Sequence, residues 1–516
     1  MRRIQLSPLF LFAWKTYTGA EKFERRRGFM KSLPVMLLLF FFTAPLVSSA
    51  GGGGGSGGSP GRWYPGESPN IVDPALPPLV FIHGYSNSAN VWLEENDMPE
   101  IAREYGYQTA YADLYPDRDM WENGMLLAGM LEEIYYHFGQ KKLAVVAYSK
   151  GGVDSQTALV HNEAYPYVSR VITLSTPHSG TQLADLANSS AAGWLSELLG
   201  TRNDATASLQ TGYMSYYRSL TDSHSNAQRI PFYTIGGTGW GSFGSATYWG
   251  GLYLSQYGRN DGVVPLISSR LSGFPVIAEH SWNHSSIKQG SVIFPELNPF
   301  LTATSFQKDH YSPLLTDTDF SQADSMIIHG GMGDEMLEDS FLIENEVKAA
   351  SVSVLSSKRL PDLVIVDEQG NSYTAGRTYK DASGFFSGAY VTEFTIKNPV
   401  PGKWTVSSKT GRTGFLYTVS LERDSSIPGI SKELNSWKSA QAGRKYKTEW
   451  IHTKGKGDGY LTFRGLKAGL PDASDFKEEG IYSLTIQITG KTGQGKAFER
   501  SMVKSIYVDG AGKIYK

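Results

Sequence analysis

The chain of 516 residues contains no cysteine. This absence excludes disulfide bridges, zinc sites with cysteine ligands, thiol catalysis and lipid attachment to a cysteine. An excess of either charge is also lacking, since 48 lysines and arginines stand against 50 aspartates and glutamates. Nucleic-acid binding needs a basic surface, so the composition argues against such a partner. Glycine (56 residues) and aromatic side chains (12%) are plentiful, which suits strands, turns and apolar binding surfaces.

The first 50 residues have the pattern of an export signal. From Met30 the chain reads MKSLPVMLLLFFFTAPLVSSA, in which a lysine precedes an apolar block that ends in small residues at Ser48 and Ala50. The block is short for a membrane span. We therefore expect a secreted, extracellular protein with a glycine-rich leader over 51–61; an uncleaved anchor is the alternative. The true start could be Met30, or else RRGFMK could be a twin-arginine export motif.

Two regions of different character follow the leader. Residues 62–305 alternate apolar strand patterns with helical patterns, which predicts an α/β catalytic domain with a mostly parallel sheet flanked by helices. Beyond this domain, short alternating runs separated by turn residues predict antiparallel β-sheets. We expect one or two β-sandwich modules, namely a β-rich module over 306–427 and an immunoglobulin-like sandwich over 428–516.

The segment AVVAYSKGGVD, residues 144–154, places Ser149 between a buried strand pattern and a helix start rich in small residues. A sharp turn from strand to helix exposes a serine at its apex, and small neighbours let the two elements approach closely. The pattern Ala147-x-Ser149-x-Gly151 is the G-x-S-x-G elbow with its first glycine replaced by alanine. The segment therefore predicts a nucleophilic serine.

Five motifs, FIHGYS, AYSKGG, STPHSGT, NDGVVP and NHSSI, follow one another along the α/β domain. Together they resemble those of bacterial secreted lipases and esterases of the α/β-hydrolase superfamily. The resemblance implies an α/β-hydrolase fold with a small helical cap, in which Ser149 is the nucleophile, Asp261 the acid and His284 the base. It also implies an oxyanion hole made by the backbone N–H groups of Tyr85 and Lys150.

Other polar residues compete for these roles or lie near them. His280 is the alternative to His284 as the base, and Asp113 is a reserve for the acid. His83 in FIHGYS is expected to shape its loop, and the resemblance gives His178 in STPHSGT a structural role in a turn below the site.

Apolar residues near the motifs are candidates for substrate binding. Residues 182–228 have the spacing of short helices inserted between core strands, which the resemblance identifies as a cap. A second segment, 237–251, is rich in glycine and aromatic residues. The candidates are Trp194, Leu198, Tyr216 and Trp240. Packing of the helices onto the sheet is the other explanation for these side chains.

The expected function is that of a serine carboxylic ester hydrolase, a lipase or esterase that acts on lipid or other acyl esters through an acyl-enzyme. One alternative is an extracellular polyester depolymerase whose β modules hold the insoluble substrate. Another is a non-catalytic surface-binding protein on a hydrolase scaffold, which the complete set of triad residues disfavours.

Few partners other than the substrate are expected. The β modules are candidates for binding a surface, a polymer or a cell wall, and no stable membrane anchor is expected. No cofactor is expected either. The acidic run TDTDFSQAD at 316–324 is a weak candidate for Ca²⁺, because it lacks the glycine and the closing glutamate of a calcium loop.

Overall fold

The computed structural model describes residues 57–245, 247–302, 325–381, 383–423, 444–455, 461–492 and 495–516. The predicted export signal, residues 51–56 of the leader and the calcium candidate at 316–324 lie outside these residues. Among the helices that are described, none combines the length and the apolar character that a membrane crossing requires.

A seven-stranded sheet forms the centre of the first half. Its strands are β1 (Trp63–Pro65), β2 (Leu79–Ile82), β3 (Thr109–Ala112), β4 (Leu143–Tyr148), β5 (Val168–Leu174), β6 (Phe232–Gly237) and β7 (Val276–His280). They lie in the order β1-β3-β2-β4-β5-β6-β7. β1 is antiparallel to β3, and the other pairs are parallel. β2 and β4 are buried along their whole length, as expected where helices cover both faces of a parallel sheet.

Helices connect these strands. They are α1 (Asn90–Leu93), α2 (Met98–Glu104), α3 (Met120–His137), α4 (Lys150–Val160), α5 (Gln182–Ala187), α6 (Gly193–Leu199), α7 (Asp204–Ser208), α8 (Thr211–Thr221), α9 (Tyr248–Leu254), α10 (Leu266–Ser269) and α11 (Gly290–Leu301). α3 begins at a side-chain cap, since the Asp119 carboxylate accepts hydrogen bonds from two backbone N–H groups of the first turn. α5 to α8 form the insertion between β5 and β6 that the sequence predicted as a cap.

Two antiparallel sheets follow in the second half. The first contains β8 (Met326–Gly333), β10 (Val347–Ser356), β13 (Arg377–Lys380), β14 (Tyr390–Lys397) and β16 (Thr413–Arg423). The second contains β9 (Met336–Ile343), β11 (Val364–Val366), β12 (Ser372–Thr374) and β15 (Gly402–Lys409). Side chains of both sheets, among them Phe341, Trp404 and Tyr417, share one hydrophobic core. This part is therefore a β-sandwich, as predicted.

The last part of the chain differs from the immunoglobulin-like sandwich predicted over 428–516. Its described residues form one antiparallel sheet, made of β17 (Lys445–Lys454), β18 (Leu461–Ala468), β19 (Gly480–Lys491), β20 (Ala497–Val508) and β21 (Ile514–Tyr515). A second sheet is not needed, because this sheet packs against the cap. A Cβ added to Gly212 of α8 would lie 2.5 Å from the Cα of Ile506 in β20. Ser483 in β19 donates a hydrogen bond of 2.6 Å to the Gln210 side chain, just before α8.

Candidate active site

Ser149 lies at the turn between β4 and α4, as predicted. Its φ is 53°, a left-handed conformation that side chains rarely adopt and that a nucleophile elbow requires. The glycines that follow allow close contact with neighbouring loops. A Cβ on Gly151 would lie 2.3 Å from the carbonyl oxygen of His83, and one on Gly152 would lie 2.1 Å from Oγ1 of Thr176.

Ala147 stands where the G-x-S-x-G pattern has its first glycine, and the structure shows why alanine is accommodated there. Ala147 lies inside β4, where it is paired with Ile82 of β2 and Thr173 of β5. Its backbone is not among the positive-φ positions of the described chain. The position therefore needs a small side chain and not the conformational freedom of glycine.

Three polar side chains converge at this turn. Nε2 of His284 lies 3.0 Å from Oγ of Ser149, and its Nδ1 lies 2.6 Å from Oδ2 of Asp261. The other carboxylate oxygen of Asp261 accepts hydrogen bonds from the backbone N–H groups of Val263 and Val264, at 2.9 and 2.7 Å. Since an ionised carboxylate only accepts hydrogen bonds, Nδ1 carries the proton and Nε2 is left to accept the serine proton.

The backbone of His284 is also held in place by hydrogen bonds, and a tyrosine ring packs beside its imidazole. Tyr148, which precedes the serine, donates its hydroxyl to the His284 carbonyl at 2.9 Å, and its ring lies 5.0 Å from the imidazole. The His284 N–H donates to the Asp261 carbonyl at 2.9 Å. Sequence reasoning gave Tyr148 no role, because a tyrosine at the end of a strand has no distinctive pattern.

The competing residues lie elsewhere. His280 is exposed at the end of β7, 3.6 Å from Glu296. Asp113 accepts the backbone N–H of Ala89 at 2.6 Å. His178 is fully buried in its turn. Among the described contacts, none of these three residues forms a hydrogen bond with the serine or its histidine partner.

The two predicted oxyanion donors lie on either side of the serine. A Cβ on Gly84 would lie 2.6 Å from Cβ of Ser149, so Gly84 packs directly against Ser149. Lys150 is the first residue of α4, where backbone N–H groups lack partners within the helix. In the described residues neither the Tyr85 nor the Lys150 N–H has a hydrogen-bond acceptor.

A cavity of about 160 Å³ opens beside Ser149 and His284. Most of its lining comes from the α/β domain: Tyr85, Ser86, Asn87, Tyr148, Pro177, Thr181, Leu209, Thr247, Val263, Val264 and Ser285. The remainder comes from the β-sandwich: Ser383, Gly384, Phe385 and Ser387. The second half of the chain therefore forms part of the wall around Ser149.

This part of the wall is the loop between β13 and β14. The Phe385 ring is buried 5.6 Å from the ring of Tyr85, and the neighbouring Phe386 packs at 5.3 Å from Trp249 of α9. The Asp381 carboxylate accepts both the N–H and the hydroxyl of Ser383, at 3.0 and 2.7 Å. Sequence reasoning missed this loop, because it lies in a region without motifs and more than 200 residues from the serine.

The cap residues predicted to bind substrate lie outside this lining. The guanidinium of Arg464 stacks 4.2 Å above the Trp194 ring. The ring of Tyr216 lies 4.4 Å from that of Tyr507, and Leu198 is 49% exposed. Trp194 and Tyr216 thus pack against the last sheet, whereas Leu198 does not line the cavity and is half exposed.

The fourth substrate candidate, Trp240, also lies outside the lining. Its ring packs 5.4 Å from that of Tyr248 at the start of α9. Its carbonyl accepts the hydroxyl of Thr247, which does line the cavity. Trp240 therefore supports the wall rather than forming it.

Metal binding was a weak expectation. Within the described ranges, no group of three or more histidine, cysteine, aspartate or glutamate side chains is placed to hold a metal ion. The calcium candidate at 316–324 lies outside them.

Comparison with known proteins places the chain in a family. No protein-family model matches it, and no curated protein does. It is similar to the solved structure of the lipase BlEst2 of Bacillus licheniformis in its propeptide form, with a TM-score of 0.79 and 37% identity over 89% of this chain and 100% of that one. The mature form of that lipase matches 48% of this chain and 100% of its own, at 50% identity and a TM-score of 0.46. Given the match to the propeptide form, the chain belongs to the bacterial lipases and esterases of the α/β-hydrolase fold, as its motifs predicted.

Proposed function

We propose that the protein is a serine carboxylic ester hydrolase, a lipase or esterase, that works through an acyl-enzyme on Ser149. The observation that carries this proposal is the unbroken hydrogen-bonded chain from Asp261 through His284 to Ser149, at 2.6 and 3.0 Å. This chain opens on a cavity large enough for a small acyl group. Membership of a lipase and esterase family supports the same reaction.

The mechanism follows from the direction of each hydrogen bond. His284 takes the Ser149 proton on Nε2 as the hydroxyl oxygen attacks the ester carbonyl, and Asp261 stabilises the imidazolium that forms. The backbone N–H groups of Tyr85 and Lys150 receive the negative charge of the tetrahedral intermediate. His284 then protonates the leaving alcohol, and a water activated in the same way hydrolyses the acyl-enzyme.

The proposal is tested with nitrophenyl esters of short, medium and long acyl chains. Purified protein is assayed beside Ser149→Ala and beside Ser219→Ala, a control serine on the exposed side of α8. We expect Ser149→Ala to lower kcat by about 10⁴-fold or more, because removing the nucleophile disables the whole triad. Ser219→Ala keeps the wild-type rate.

Labelling with a fluorophosphonate gives an independent measurement. The wild-type serine is expected to be labelled, and Ser149→Ala is expected to remain unlabelled. A folded wild-type protein that hydrolyses none of the esters and takes up no label would contradict the proposal and favour the non-catalytic scaffold.

We propose further that the C-terminal half restricts access to this site as a propeptide. Support comes from the loop between β13 and β14, whose residues Ser383 to Ser387 close one side of the cavity. It also comes from the similar lipase, whose solved form of matching length is a propeptide form. In this reading the β modules regulate the enzyme, whereas binding of a surface or polymer by them stays an untested prediction.

A cleavable linker tests this restriction in the intact protein. A recognition site for a specific protease is inserted between Thr302 and Ser325, and hydrolysis of short and long esters is measured before and after cleavage and removal of the C-terminal half. We expect a larger gain for long acyl chains than for acetate, because the wall of the cavity is removed. Equal rates before and after would contradict the proposal.

Export is proposed from the N-terminal pattern alone. The test is to express the whole chain in a bacterial host and to determine the N-terminus of protein recovered from the medium. Cleavage close to Ala50 is the expected result. Retention in the cell with an intact N-terminus would overturn it.

A further inference from the structure

His83, at the end of β2, is buried and makes two hydrogen bonds with backbone groups. Its Nε2 lies 2.9 Å from the backbone nitrogen of Leu114, and its Nδ1 lies 2.8 Å from the carbonyl oxygen of Gly84. The Leu114 N–H is a donor, so Nε2 must accept and carries no proton. The proton of the neutral ring is therefore on Nδ1, which donates to the Gly84 carbonyl.

This hydrogen bond fixes a peptide group that begins at Gly84, next to Ser149. The Gly84 carbonyl and the Tyr85 N–H belong to one planar trans peptide, so they point in opposite directions. Holding the carbonyl on the His83 side therefore directs the N–H to the other side. Gly84 packs against Ser149, and Tyr85 lines the cavity in which the ester would lie.

We propose that His83 is a positioning residue of the oxyanion hole, which acts through the Gly84 carbonyl to aim the Tyr85 N–H at the substrate oxygen. The inference rests on the proposed ester hydrolysis. Without the imidazole, the peptide is free to rotate, and its carbonyl could then face the developing negative charge. Positioning by a second residue is how a backbone donor becomes preorganised.

The anchor of His83 is connected to the second donor as well. Leu114 is followed by Tyr115, whose N–H donates to Asn123 of α3 at 3.1 Å. Asn123 in turn donates at 3.2 Å to Asp154, whose other oxygen pairs with Nζ of Lys150 at 2.6 Å. Lys150 supplies the other oxyanion N–H.

One buried network thus ties both donors to the segment after β3. Burial lowers the pKa of His83 to about 4, so the ring keeps its neutral, hydrogen-bonding form at neutral pH. A group held in this way does not take up the proton that the triad moves.

Two variants of nearly matched size test the positioning. His83→Leu removes the donor, whereas the amide of His83→Asn can still donate to the Gly84 carbonyl. Loss of a whole oxyanion donor lowers kcat about 10²- to 10³-fold, so we expect His83→Leu to lose at least about tenfold in kcat with little change in KM. His83→Asn is expected to retain most of the wild-type rate. His178→Leu is the control, a buried histidine that does not itself line the cavity.

A second readout separates positioning from general damage. A trifluoromethyl ketone that adds to Ser149 forms a tetrahedral oxyanion, and its Ki is expected to rise by the same factor by which kcat/KM falls in each His83 variant. A His83→Gln variant extends this comparison, so the test still stands if the leucine variant does not fold. The proposal is overturned if a folded His83→Leu keeps the wild-type kcat, or if Ki and kcat/KM change independently. If the proposed ester hydrolysis itself is wrong, the wild-type protein is inactive in the same assay, so this outcome is distinguished from a failure of the His83 proposal.

Discussion

Two histidines of this molecule, in different regions, each donate to an aspartate, yet their surroundings differ. In the α/β domain, Nδ1 of His284 pairs with Asp261 at 2.6 Å, and Nε2 faces a serine hydroxyl. Where the β-sandwich meets the last sheet, Nδ1 of His329 lies 3.1 Å from Asp339, and its Nε2 lies 2.5 Å from Glu499 of β20. The first histidine has one nitrogen free for chemistry. In the second, both nitrogens are bound to carboxylates.

The second carboxylate changes what the imidazole can do. Burial alone would lower the pKa of His329, but hydrogen bonds with Asp339 and Glu499 outweigh it and raise this pKa to about 9. His329 is therefore a cation at neutral pH and joins two modules as an ion pair. A base needs the arrangement around His284, with one carboxylate and one open nitrogen.

Among the tests of this contrast, the largest expected effect is that of Asp261→Asn, which exchanges one carboxylate oxygen for an NH2 group. In Asp261→Asn, the amide oxygen would stay on the Val263 and Val264 N–H groups, so the NH2 group would face His284. Nδ1 must then accept, Nε2 carries the proton, and the imidazole cannot take a proton from the serine. We expect kcat to fall about 10⁴-fold with the fold intact, measured with nitrophenyl acetate.

Asp339→Asn is the matched control. Its Oδ1 also accepts a backbone N–H, that of Ser340 at 2.7 Å, and its Oδ2 also faces a histidine Nδ1. The same exchange there should leave kcat within about twofold of wild type, since the histidine concerned touches no reacting group. Equal losses in both variants would end the distinction between a catalytic pair and a structural pair.

A buried ion pair of the C-terminal half is expected to affect stability and not catalysis. Arg500 and Glu344 are both fully buried and ion-paired, and Arg423 also contacts that carboxylate. Removing one partner of a buried pair costs about 3–5 kcal/mol when the remaining charge is left without compensation. Because Glu344 keeps Arg423 as a partner, Arg500→Met should lower the free energy of unfolding by less than that full amount, as measured by urea denaturation of the full chain.

The double variant Glu344→Leu with Arg500→Met provides the control for this pair. Arg500→Met leaves the Glu344 carboxylate paired with Arg423, whereas the double variant also takes this carboxylate away from Arg423, so the double variant is not expected to recover the stability lost in Arg500→Met. In each of these variants kcat on nitrophenyl acetate should remain near the wild-type value. A large fall in kcat would mean that this ion pair shapes the site directly.

Alkaline pH tests the cationic state of His329. Because the pKa is raised in the folded protein, the stabilisation is fully present below about pH 6.5 and is lost as the pH rises through about 9. A shift of this size corresponds to roughly 3 kcal/mol. The free energy of unfolding of wild type should therefore fall more between pH 6.5 and 10 than that of His329→Gln. Parallel curves for the two proteins would show that His329 is not charged in the fold.

The sequence allowed the α/β half to be predicted because its chemistry is local. The elbow around Ser149 needs a strand, a turn and small residues within about ten positions, and each of these leaves a pattern. The fold class and the family were predicted correctly from such patterns. The hydrogen-bond network of His83 was not predicted, because the contact of His83 with Leu114 depends on strand order and not on sequence spacing.

The C-terminal half could be predicted as antiparallel β structure that includes a sandwich, but not in how it packs on the α/β domain. Which face a strand buries can be read from alternation, but the partner of that face cannot. The sequence left the apolar residues of the cap open between substrate binding and packing, and in the structure Tyr216 packs on Tyr507 and Trp194 on Arg464. The part of the cavity wall that Phe385 forms beside Ser149 was not predicted for the same reason, since Phe385 reaches it by tertiary packing alone.

The smallest expected effect is that of Trp194→Ala, which distinguishes substrate binding from packing as the role of this cap residue. Trp194→Ala removes a cation–π contact with an exposed arginine, Arg464, at 4.2 Å, which is worth about 0.5–1 kcal/mol. We expect a loss of stability of that order and no change in KM for esters of any chain length, because Trp194 does not line the cavity. If KM for long acyl esters instead rises severalfold while stability is unchanged, the indole contacts substrate, and the cap face covered by the C-terminal sheet is part of the binding site.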